Sequence, residues 1–282
     1  MQHVEFFHQE HFLKNYHRSK PVAALAHFIE FFWETDFDVL WKTYPRGFSD
    51  ALFPNIGYTY LINLGTPFVM QLENRNYTMK SDGFLPRHSC IECYHQPGNK
   101  IFGIKFRISP VLFEKRINFS EYKEYIFPLS YLLDPLVLDQ IKQAGSFGER
   151  VKIVNNYYQP LVKRFAGSLQ PVKVVSEIIQ FCETRNKFDF SIEELAERYS
   201  ISSRTLQRYF ESTMSITTKK ALQILRIRKV VSDLLSSPDT FHYSRYGYYD
   251  YSHFIKHLKS FLQKDTLKKM KPHLLLLEGL HK

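Results

Sequence analysis

"SISSRTLQRYFESTMSITTKKALQILRIRKV", residues 200 to 230, decides how the C-terminal part of this chain folds. Ser202 stands just before an apolar-periodic run, so its hydroxyl is expected to cap a helix beginning at Ser203. Leu206 and Phe210 lie four apart on one face of that helix. Ser203, Arg204, Gln207, Arg208 and Glu211 are left on the opposite face. Upstream, "SIEE" at 191–194 has the form of a capping box, with Glu194 able to reach back to Ser191. Leu195, Ala196 and Tyr199 supply the inner face of a short helix after it. Two short helices across a tight turn make a helix-turn-helix unit. Downstream, residues 218–237 read as one long helix ending at Pro238. It is about 30 Å long at 1.5 Å per residue.

The pattern returns 48 residues later. In "RYGYYDYSHFIKHLKSF" (245–261), Asp250, Phe254, Lys256 and Leu258 fall where Ser202, Leu206, Arg208 and Phe210 stood. Both copies hold a capping residue, an apolar residue, a cation and a second apolar residue at matched offsets, an internal repeat. Tyr246 and Tyr248 are expected in the small core of this second unit. Tyr249 and Tyr251, beside the cap, are placed to meet a sugar-phosphate backbone or a thymine methyl. His253 reads as a pH-sensitive group or as an ordinary polar contact. A spacer of about 30 Å suits two units entering successive major grooves on one face of B-DNA, which are about 34 Å apart.

Charge agrees with a polyanionic partner for this region. Residues 171–282 carry 19 Lys and Arg against 12 Asp and Glu, net +7, whereas residues 1–170 carry 19 against 16, net +3. The 44% hydrophobic and 16% aromatic content excludes a disordered chain. The opening "MQHVEFFHQEHFLKNYHRSKP" has no uninterrupted apolar run, so no signal peptide is expected. "LLLL" at 274–277 is too short to cross a bilayer, so no membrane association is expected. Three cysteines point to a reducing compartment, and the expectation is a cytoplasmic protein.

The expected fold class is α+β. "FAGSLQP" (165–171) breaks the helical pattern, dividing an N-terminal β-rich domain at 1–168 from a helical domain at 173–282. "YTYLINL" (58–64) and "IFGIKFRI" (101–108) read as strands, the latter with Phe102, Ile104, Phe106 and Ile108 on one face. Turn residues such as Pro45, Gly47, Gly65, Pro67, Asp82-Gly83 and Pro97-Gly98-Asn99 separate short strands, suggesting a small sandwich or barrel. Residues 147–165 form a helical appendage with Val151, Val154, Tyr158, Leu161, Val162 and Phe165 as its apolar stripe. That stripe either covers the β structure or pairs with its copy in a homodimer.

Residues 173–282 resemble the DNA-binding domain of the AraC/XylS family of bacterial transcription regulators. The likeness rests on "LAERYSISSRTLQRYFESTMSITTKKALQILRIRKV" and "GYYDYSHFIKHLKSF". It implies two helix-turn-helix units joined by a long helix. Arg204, Gln207 and Arg208 then lie at a first major groove of double-stranded DNA, and Tyr251, Ser252 and Lys256 at a second. The chain has Ser200 and Ser215 where the family usually has Gly, and Thr218 where it often has Pro. His242-Tyr243 replaces its usual Ile-Ala pair, and "QKDT" (263–266) its Gly-x-Thr-Pro. "LFPNIGYTYLINLG" and "GNKIFGIKFRISPVLF" resemble the family's sensor-type domains. That implies a cupin-like domain for a small effector or for dimerisation, no cofactor, and RNA polymerase as a partner where the regulator activates.

The chemistry suits those roles. Arginine can bond guanine and glutamine adenine in bidentate fashion, while either Arg204 or Arg208 alternatively holds only phosphate. Ser202 and Ser203 read as caps before base contacts. Lys219, Lys220, Arg226, Arg228 and Lys229 lie along the connector, Lys219 as a phosphate contact and Arg226 as either a structural partner or a phosphate ligand. One competing pattern is "RHSCIECYHQ" (87–96), where His88, Cys90, Cys93 and His95 are zinc-type or redox ligands. On a strand those side chains alternate faces and belong to a β core. Hydrolase, nucleotide-binding and metalloprotease motifs are missing from the sequence, so no enzyme is expected.

Overall fold

The computed structural model describes residues 11, 14–48, 50–52, 54–72, 75–86, 88–110, 126–165, 169–236 and 240–261. "QKDT", "LLLL" and Pro238 lie outside the described residues. Ten strands come first: β1 (His17–Ser19), β2 (Ile29–Asp36), β3 (Asp50–Leu52), β4 (Tyr58–Asn63), β5 (Phe68–Leu72), β6 (Arg75–Met79), β7 (Gly83–Pro86), β8 (Ile91–Tyr94), β9 (Lys100–Phe106) and β10 (Phe127–Pro128). A short helix, α1 (Asp38–Thr43), interrupts them. Then follow α2 (Pro135–Gln143), α3 (Phe147–Arg164), α4 (Gln170–Arg185), α5 (Ile192–Arg198), α6 (Ser203–Met214), α7 (Thr218–Ser236) and α8 (Tyr251–Phe261). The α+β class and the strands expected at 58–64 and 101–108 are both present.

The strands form two antiparallel sheets, one ordered β1-β2-β9-β4-β7-β10 and the other β3-β8-β5-β6. Alternation along the first sheet explains its layering. Trp33, Leu61, Leu85 and Ile101 point to the second sheet, where they meet Leu52, Phe68, Met70, Leu72, Ile91 and Cys93 in one buried cluster. Phe32, Tyr60, Ile62, Phe84, Phe102, Ile104 and Phe106 point the other way, into a cluster shared with the helices. Both faces of the six-stranded sheet are therefore covered. Gly103 lies opposite Trp33 because the indole occupies the space of a side chain: a Cβ there would sit 2.0 Å from the ring.

Helix α3 covers the sheet with the inner part of its expected stripe. Val151, Val154 and Tyr158 are buried, and the Tyr158 ring lies 5.2 Å from that of Phe28 and 5.7 Å from that of Phe106. Ser146 and Glu149 close a capping box at its start. Next to that box, buried Arg150 bonds buried Glu34 of β2 at 3.1 Å and the Ala144 carbonyl at 2.6 Å. Lys100 meets the other Glu34 oxygen at 3.1 Å from the solvent side. Removing one partner of such a pair leaves a poorly compensated buried charge. Arg150→Ala should lower stability by about 3 kcal/mol in urea unfolding. An unchanged midpoint would mean that this ion pair does not hold α3 on the sheet.

Candidate nucleic-acid interface

Helices α5 and α6 form the expected helix-turn-helix. Ser191 accepts from the Glu194 amide at 3.1 Å while the Glu194 carboxylate accepts from the Ser191 amide at 2.7 Å, the capping box in full. Those bonds hold the Glu194 carboxyl below its usual range. Ser202 accepts from the Thr205 amide at 3.1 Å and caps α6. The turn between the helices and the end of α6 both need left-handed backbone. Ser200 has φ +52° and Ser215 φ +57°, at the two positions where glycine would be unstrained.

The repeat holds class by class. Asp250 accepts from the His253 amide at 2.6 Å and caps α8, as Ser202 caps α6. Leu206, Phe210, Phe254 and Leu258 are all buried, while Arg208 and Lys256 are exposed. The second unit departs at its first helix, where His242-Tyr243 begins only a 3-10 turn, Tyr243–Tyr246, ending on left-handed Gly247. Tyr246 and Tyr248 are buried as expected, and Tyr249 is 93% exposed. Among the described residues, neither Ser203, Arg204, Lys219, Ser252 nor Lys256 has a hydrogen-bond or ion-pair partner, and Arg208 only lies 5.9 Å from the Tyr209 ring. Tyr251, Ser252, Ile255, Lys256 and Lys259 line a shallow groove of about 410 Å³ along α8. Gln207 differs from its neighbours: its amide donates to Glu211 at 2.8 Å and accepts from the Thr218 amide at 3.4 Å.

The connector α7 is 19 residues long, about 28 Å. Three of its cations, Arg226, Arg228 and Lys229, are engaged with other groups of the chain. Arg228 is buried and donates to the Pro54 carbonyl at 3.0 Å. The Arg226 guanidinium sits 4.4 Å from the centre of the Tyr248 ring and donates to the Gly247 carbonyl at 3.4 Å, a structural role. Lys229 pairs with Asp233 at 2.7 Å, and partial burial lowers the Lys220 pKa. Lys219 remains exposed.

Sequence reasoning missed the bonds that fasten the second unit to this connector and hold it together internally. The Tyr246 hydroxyl donates to Asp233 at 2.5 Å, and burial and that carboxylate push the phenol up, so it stays protonated. Tyr248, pushed up to about 12 by burial, shares a hydrogen bond with His257 Nδ1 at 2.5 Å. No local pattern marks these residues, because each partner lies on another element. The zinc-type residues do not converge. His95 stacks on Phe37 with ring centres 3.5 Å apart, His88 meets Tyr58 edge-on, and Cys90 and Cys93 are buried in the β core. Among the described residues no three His, Cys, Asp or Glu side chains gather as metal ligands.

No family model matches the chain, and no curated protein matches it. Among solved structures, it is similar to ToxT from Vibrio cholerae O395 at 11% identity and a TM-score of 0.42, over 88% of this chain and 92% of that one. It is similar to unsaturated fatty acid-bound ToxT from Vibrio cholerae strain SCE256 at 12% identity and 0.40, over 88% and 90%. It is also similar to the AraC-like transcriptional activator CuxR at 10% identity and 0.32, over 79% and 89%. Among the described residues no helix is long and apolar enough to cross a membrane.

His257, buried in the second unit, is a titrating group of consequence for stability. Burial, then the charges of Arg226, His253 and Lys220, push it down to about 3 from an ordinary 6.5. The unfolded chain therefore takes up this proton first, so the stabilisation is complete above about pH 6.5 and is lost as pH falls toward 3. Urea unfolding should show stability falling from pH 7 to pH 5, with a shallower fall in His257→Gln. Equal slopes in the two proteins would remove His257 from the account.

Proposed function

We propose that this chain is a sequence-specific DNA-binding transcription regulator that reads two successive major grooves. One observation carries the proposal: two capped amphipathic helices, α6 and α8, on either side of a common connector, turn Arg204, Arg208, Ser252 and Lys256 outward to solvent. On α6, Ser203, Arg204, Gln207 and Arg208 form the face for the first groove. On α8, Tyr251, Ser252 and Lys256 form the face for the second, and Lys219 contacts phosphate. A helix fits the major groove, and arginine there can bond guanine through two donors. The connector's length is close to one turn of the duplex.

The N-terminal half, 1–168, serves in this proposal as a cupin-like sensor or dimerisation domain for the DNA-binding domain at 173–282. Its support is physical contact with the first unit. The Ser109 amide donates to the Thr213 carbonyl at 2.8 Å, and the Tyr58 hydroxyl donates to the Met214 carbonyl at 3.3 Å. A small effector or a second copy acting on those strands then has a direct route to α6.

Base contacts and phosphate contacts fail differently. Arg208→Ala should relax preference at one or two base positions, a loss of about 1–3 kcal/mol of discrimination. Lys219→Ala should weaken binding evenly across sequences and lower the salt slope by about one. Selection from a random duplex library, followed by titration at several salt concentrations, measures both. The same uniform loss in both variants would overturn the assignment of α6 to a groove.

A further inference from the structure

We infer that Gln207 is a positioning residue that fastens α6 to the start of the connector, and that base reading on α6 falls to its arginines. The inference rests on the DNA-binding reading above and assigns one residue within it. Both ends of the Gln207 amide are engaged inside the chain. Glu211 can only accept and the Thr218 amide can only donate, so these two partners fix the orientation of the side-chain amide: nitrogen toward Glu211, oxygen toward Thr218.

The Thr218 bond has a reason. Thr218 is the first residue of α7, and the first amides of a helix have no partner within it. Proline is favoured at that position because it has no amide hydrogen to satisfy. Threonine leaves one, in a residue that is buried. Thr217 serves the third-position amide, that of Lys220, at 3.1 Å. Gln207 serves the amide of Thr218, from a helix eleven residues upstream. To read adenine with two bonds, Gln207 would have to release both partners and leave the Thr218 amide unsatisfied. Arg204 and Arg208, one turn apart and exposed, carry no such commitments.

The test uses the full chain, a random duplex library and three proteins: wild type, Q207A and the Q207E/E211Q exchange. In the exchange the carboxylate takes the Thr218 amide and the donor moves one turn along, so the network is rebuilt with its parts reversed. Q207A should select the same motif as wild type at every position while binding it about 3- to 10-fold more weakly, the order of effect of losing a helix cap. The exchange should select that same motif and recover most of the affinity. Loss of preference at a single position in Q207A, or a different preferred base in the exchange, would make Gln207 a base reader and overturn the inference. Unchanged affinity in Q207A would overturn it too. A wild-type chain that selects no motif would overturn the DNA-binding reading itself, and this assignment with it.

Discussion

A helix cannot satisfy its own last carbonyls, and in α6 two of them are bonded from the other half of the chain. Thr213 accepts from the Ser109 amide, and Met214 accepts from the Tyr58 hydroxyl. Both residues are buried, so water does not substitute there. Burial keeps the Tyr58 phenol well above its ordinary range, protonated and able to donate. Arg228 adds a third bond, from the connector to the Pro54 carbonyl just before β4. The C-terminal end of α6 is thus tied to Tyr58 of β4 and to Ser109 just after β9. One apolar cluster runs from Phe32 in the sheet to Phe254 and Leu258 in α8, so this arrangement is packed as well as hydrogen-bonded.

The connector shows how charge is sorted by position. A basic C-terminal region suggests a broad cationic face, yet Arg226, Arg228 and Lys229 are engaged with Tyr248, Pro54 and Asp233. On α6, the head of α7 and α8 the outward cations are Arg204, Arg208, Lys219, Lys256 and Lys259, while Lys173, Arg185, Lys187, Arg198 and Arg245 are exposed elsewhere among the described residues of this region. Net charge reports only the total.

Local chemistry was legible in the sequence. The caps at Ser191, Ser202 and Asp250 and the buried positions of both α6 and α8 depend on spacing within a few residues, which a sequence displays directly. The strands of the β-rich half were legible for the same reason. Long-range choices were not. Nothing near Tyr58 announces a bond to residue 214, and nothing near Asp233 announces Tyr246. Ser200 and Ser215 conceal left-handed backbone behind an ordinary residue type, and Gln207 reads as an outward side chain until its partner at Thr218 is in place. The first helix of the second unit shrinks to a 3-10 turn. There the chain gains bonds from Tyr246 and Tyr248 to α7 and α8 in place of a longer helix of its own.

The claim that α6 and α8 read one duplex together is tested most directly by spacing. The selected site should contain two short boxes with centres one helical turn apart, about 10–10.5 base pairs. Footprinting and titration on that site with five base pairs inserted between the boxes would place the second box on the opposite face of the duplex. A stiff connector cannot follow that half-turn, so most of the specific binding should be lost and protection should shrink to the first box. Undiminished affinity for the lengthened site would contradict the account, leaving α6 as the reader and α8 as structure alone.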